Sequence, residues 1–85
     1  MIELVPWRSL GDCLAAARQS RWLTQRQVAK RSGISQSSYS QIERGLIRPR
    51  PESVLQLALT LGIGIDILAV KADYSLERVL LTDTP

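Results

Sequence analysis

Side chains able to form hydrogen bonds crowd one short stretch of this 85-residue chain. Gln36, Ser37, Ser38, Ser40 and Gln41 follow closely on one another, interrupted by Tyr39 and bounded by Ile42. A glutamine amide carries donors and an acceptor, and a serine hydroxyl carries both on one atom. Arg44, Arg48 and Arg50 come next. This set suits recognition of something polar and anionic. It does not suit catalysis. There is no histidine, and the one cysteine, Cys13, allows neither an intramolecular disulfide nor a zinc cluster. No nucleophile–base pair, acid–base pair or glycine-rich phosphate loop is present, and Asp66, Asp73 and Glu77 read as solvated. We therefore expect no enzymatic activity, no metal and no cofactor.

The charge is unevenly placed. The net charge is +3, yet Arg18 to Arg50 holds eight basic residues against the single acid Glu43, a surplus of +7. Residues 51–85 carry −3 and the first seventeen −1. A concentrated basic stretch is the footprint expected of a phosphate-binding surface, although a solvated face looks the same from composition.

The elements that would hold these residues can be read on either side of them. Thr24 is a suitable N-cap, with Gln27 placed for a capping box and Leu23 placed to staple against Val28. Gly33 stops that helix, because glycine accepts the left-handed backbone of a C-terminal cap. Ser35 caps a second helix from Gln36, anchored by Tyr39 and Ile42 and ended by Gly45. Upstream, Ser9 is an N-cap candidate for a helix over about Leu10 to Arg21, with Asp12 in its first turn and Leu10, Leu14 and Ala17 facing a core. Cys13 reads as a half-buried packing residue, whereas Trp22 fits either a packed or a surface position. Pro49 and Pro51 hold Arg48 and Arg50 on an extended segment. A fourth helix begins at Glu52 or Ser53 and runs to Leu61, lined by Val54, Leu55, Leu57, Ala58 and Leu61.

Beyond Gly62 the pattern is double. Ile63, Ile65 and Ile67 alternate with Gly64 and Asp66, and Val70 follows, which predicts a strand. Ile65, Leu68 and Ala69 also fit a helix. We take the strand as the expectation. Tyr74 to Leu81 has weak amphipathic character, and a disordered tail is expected after Thr82. The division expected is an arm over 1–8, one folded domain over 9–70 with a dimerisation segment at 63–71, and a tail over 72–85. No run of apolar residues approaches the ~20 of a membrane span, and no leader is evident, so a cytoplasmic location is expected.

In register, Leu14, Arg18, Leu23, Thr24-Gln25, Val28-Ala29, Gly33-Ile34-Ser35, Ser40 to Gly45, Pro49, Leu57-Ala58 and Leu61-Gly62 resemble the lambda-repressor-like (Cro/C1, XRE-type) helix-turn-helix family. The resemblance implies an all-α domain of four or five helices. It also implies double-stranded DNA as partner, with the second helix of the motif in the major groove. Gln25, Gln36, Ser37 and Gln41 match base-edge and nearby phosphate contacts, and a glutamine can bond two atoms of an adenine edge. Gln25 would also brace Gln36. Ser38 and Ser40 would meet backbone oxygens, Arg44 matches a phosphate contact, and Arg48 and Arg50 would reach phosphate or the minor groove. Arg18 and Glu43 match a structural ion pair. A strand over Ile63, Ile65, Ile67 and Val70 would resemble the HipB-type antitoxins, whose C-terminal strand pairs across a homodimer. A kinase-like toxin partner would then be implied. A fifth helix with a helical interface would instead resemble a phage-type repressor or a restriction-modification controller. A protein-interaction module without DNA binding is the reading from another class.

Overall fold

A computed structural model describes residues 5–81 and shows six helices: α1 (Arg8–Ser20), α2 (Gln25–Ser32), α3 (Gln36–Glu43), α4 (Pro51–Leu61), α5 (Ile65–Lys71) and α6 (Leu76–Leu80). The expected all-α fold is present. Residues 1–4 of the expected arm and the disorder expected after Thr82 lie outside the described residues; Val5 to Trp7 precede α1, and Arg8, the last residue of the expected arm, opens that helix.

The motif forms as its local chemistry requires. Thr24 Oγ1 accepts from the Gln27 backbone amide (3.1 Å), and Gln27 Oε1 accepts from the Thr24 amide (2.9 Å). This reciprocal pair satisfies two amides that the helix start leaves unbonded. Gly33 has φ 69°, and the Ile34 amide donates back to the Ala29 carbonyl at 2.9 Å. That left-handed turn redirects the chain within three residues. Ser35 Oγ then accepts from the Ser38 amide at 3.1 Å and starts α3.

α1 differs from expectation at its start. It opens at Arg8, with Trp7 as a cap that makes no side-chain bond, so Ser9 is not the cap and Asp12 lies beyond the first turn. Closure against the motif sets that start instead. The Trp7 amide donates to the Gly45 carbonyl at 3.1 Å, tying α1 to the end of α3. Gly11 lies where the two helices come closest, and a Cβ there would overlap the Glu43 carbonyl oxygen. α4 likewise opens earlier than expected, at Pro51, because proline at the first helical position needs no amide partner.

The strand expected at Ile63–Val70 does not form. Ile65 to Lys71 is helix, and among the described residues there is no strand. Leu68, Ala69 and Ala72 are fully buried. They recur with Ile65 at the three- and four-residue spacing of a helix face, and Asp66 and Lys71 sit at the matching ends of the dipole. Burial against α4 therefore overrides the local preference of β-branched residues. α6 falls within the segment read as tail. Ser75 caps it, and Val79 is fully buried where α6 packs on α4 and α5.

Leu10, Leu14, Val28, Tyr39, Ile42, Val54, Leu57, Leu61, Leu68 and Val79 form one core. Cys13 is half-buried beside it. No helix among the described residues is long and apolar enough to cross a membrane.

Candidate nucleic-acid interface

α3 presents two unlike sides. Tyr39 and Ile42 are buried, at 0% and 2% exposure. Gln36 and Ser37 are exposed, and Ser38, Ser40 and Gln41 are half-buried. Two anchors hold the helix, and its amides and hydroxyls are left toward solvent. Gln36 and Ser37 also stand in the first turn, where free backbone N–H groups favour an anion.

The far end of α3 is locked to α1. Arg18 Nε donates to Glu43 Oε2 and Arg18 Nη2 to Glu43 Oε1, both at 2.8 Å. Arg18 Nη1 also donates to the Leu23 carbonyl at 3.0 Å. This is the fork geometry in which a guanidinium binds a carboxylate most firmly. The Glu43 side chain is only 7% exposed. Burial pushes its carboxyl upward, but the bonds from Arg18 chiefly, with the nearby Tyr39 hydroxyl and the bond from Gln25, outweigh that and hold it below the usual carboxylate range. The bond to Glu43 raises Arg18 in return. Burial, and next the neighbouring Glu43, push the Tyr39 phenol well above its ordinary value, so it stays protonated. Its hydroxyl lies beside this pair without a hydrogen bond of good geometry.

Gln25 is expected to brace Gln36. Its Nε2 instead donates to Glu43 Oε1 at 3.1 Å, which fixes the amide and turns its donor inward. The lock thus runs from α1 through Glu43 to the first residue of α2.

The arginines beyond α3 divide. Arg44 and Arg50 are exposed, and Arg50 approaches Glu52 at 3.9 Å. Arg48, grouped from sequence with the phosphate contacts, is taken by the fold. Its Nε donates to the Ala72 carbonyl at 2.8 Å, and its Nη2 donates to the Asp73 carbonyl. The guanidinium lies 3.7 Å from the Tyr74 ring centroid and 5.4 Å from that of Trp7. Tyr74 completes the joint by donating to the Pro49 carbonyl at 2.8 Å. Arg48 therefore binds the α3–α4 connection to the end of α5. Its partners lie 24 and 25 residues away in sequence, and no local pattern announces them.

The expected interface residues also divide. Ile63 and Ile65 are half-buried against their own core. Ile67 is 52% exposed and Val70 75%.

The helix-turn-helix family model matches residues 14–68, from the middle of α1 into α5. The chain belongs to the lambda-repressor-like helix-turn-helix family. It is 35% identical over 81 residues to an uncharacterized HTH-type transcriptional regulator of Mycobacterium tuberculosis, Rv0474, covering 87% of this chain and 58% of that protein. It is 40% identical over 67 residues to the HTH-type transcriptional repressor RghR of Bacillus subtilis, covering 78% and 50%. It thus spans between half and three-fifths of the length of these two relatives. A shorter uncharacterized HTH-type regulator of Sinorhizobium fredii, y4dJ, is 39% identical over 54 residues, covering 64% of this chain and 70% of that protein. No solved structure gives a significant match. In this helix-turn-helix domain α2 and α3 are the motif, and α1 and α4 pack against it.

Proposed function

We propose that this domain is a sequence-specific, double-stranded DNA-binding transcriptional repressor with α3 in the major groove. The observation that carries the reading is the two-sidedness of α3: Tyr39 and Ile42 are buried while Gln36 and Ser37 are open. Gln36, Ser37 and Gln41 would meet base edges. Gln25 would act through its backbone amide at the start of α2, since its side-chain donor is held by Glu43. Ser38, Ser40, Arg44 and Arg50 would meet phosphates, and Arg48 is left out of the contact set. The repressor named among the relatives supports the regulatory sense. The reading includes a cytoplasmic location and no catalytic role.

The working form would be a homodimer on an inverted repeat, its recognition helices about 34 Å apart. Ile67 and Val70, exposed on α5, would carry a helical interface in place of the strand first expected. The toxin-linked antitoxin reading rested on that strand and loses its support with it. The fifth helix favours the branch of phage-type repressors and restriction-modification controllers.

The test is a pair of titrations with duplex DNA. Gln36→Ala should flatten the preference between sequences, by about 1–3 kcal/mol at the affected base. Arg44→Ala should weaken binding to all duplexes alike and reduce its salt dependence. Unchanged binding in both variants rejects the assignment of α3. Absence of any salt-sensitive binding favours a protein-interaction module.

A further inference from the structure

Trp22 stands in the turn between α1 and α2 and is 92% exposed. Its φ of 58° lies in the left-handed region, which is costly for a side chain as bulky as indole. Two penalties therefore meet at one residue, an exposed apolar ring and a strained backbone; the Trp22 amide donates to the Gln19 carbonyl at 3.1 Å and holds the turn, while the ring stays open to solvent. The ring forms one wall of an open cleft of about 600 Å³, shared with Gln25, Arg26 and Gln36. Gln25 and Gln36 head the two helices of the motif. Arg26 is exposed and supplies a positive charge to the same cleft.

From this placement we infer that Trp22 is a DNA-contacting residue, its ring lying against the sugar–phosphate backbone that flanks the recognition helix. The inference rests on the proposed DNA-binding function. A deoxyribose offers a flat apolar face and the adjoining phosphate an acceptor. Indole offers an apolar face and a single N–H donor. Arg26 then pairs with the same phosphate or the next one. The contact reads the course of the backbone rather than base edges, so it adds affinity and register.

The test uses the full chain and a mixed-sequence duplex at low salt. Trp22→Gly removes the ring while suiting the left-handed backbone, so it should fold at least as well as the parent chain by thermal melting. We expect about a tenfold loss of duplex affinity, the scale of one well-made interface contact. In a Trp7→Phe background, where Trp22 is the remaining tryptophan, its emission should change when the duplex binds and recover when salt releases it. Unchanged affinity in Trp22→Gly overturns the proposal, as does constant Trp22 emission while anisotropy reports binding. Altered sedimentation with unaltered duplex affinity overturns it in favour of a contact between copies of the chain. If the parent chain binds no duplex, the DNA-binding reading itself falls and this inference falls with it. Loss of affinity confined to the Trp22 variant leaves that reading intact and supports the contact.

Discussion

At the scale of single residues, Glu43 matters most. It accepts from Arg18 twice and from Gln25 once, so one carboxylate joins the end of α3 to α1 and to the start of α2. Its folded-state ionisation lies below the ordinary carboxylate value of about 4.3. The stabilisation it contributes is therefore present in full above that ordinary value. It is lost as pH falls through the lower folded one. The urea midpoint of the parent chain should hold steady from neutrality down to about pH 5 and then decline. Glu43→Gln should be less stable near neutrality by about 3 kcal/mol, because Arg18 keeps its charge and loses its partner. Its decline in acid should be shallower. Equal acid profiles for the two proteins would show that another group governs the decline. The Arg18–Glu43 pairing was readable because both residues fall in family register. Gln25 and Arg48 were not readable in the same way. Each is held by a group distant in sequence, the Glu43 carboxylate for one and the end of α5 for the other.

At the scale of elements, legibility followed the reach of the deciding interaction. α2 and α3 were legible almost to the residue, since Thr24, Gln27, Gly33 and Ser35 act within four positions of themselves. The start of α1 was not legible from Ser9, because contact with Gly45 decides it. α5 was misread as a strand. Three alternating isoleucines look extended in isolation, but Leu68, Ala69 and Ala72 find a buried face only as a helix. α6 is too short to show periodicity and is recognisable only once Val79 meets the core. Gly11 gives the sharpest test of how closely α1 and α3 must approach. Gly11→Ala places a methyl group against the Glu43 backbone and should cost about 1–3 kcal/mol by chemical denaturation. A stability equal to that of the parent would mean the helices part without loss.

At the scale of the whole molecule, the exposed arginines beside α3 and the exposed apolar side chains of α5 stand on different elements. Arg44 and Arg50 flank α3, whereas Ile67 and Val70 stand on α5. Such a separation lets one surface meet DNA while another meets a second copy of the chain. Val70 is 75% exposed, so Val70→Lys should leave the fold intact and shift the protein toward monomer in sedimentation velocity. Its duplex affinity should fall, because two half-sites no longer bind together. A dimer that persists at the same concentrations would place the interface elsewhere. The measurement that bears most directly on the recognition helix is selection of bound sequences from a random duplex pool, run in parallel with the parent chain and Gln36→Ala. The parent should enrich an inverted repeat with half-sites about one helical turn apart, and the variant should lose preference at the symmetric positions Gln36 reads. No enrichment by the parent, or the same enriched sequence from both proteins, would contradict the placement of α3 in the groove.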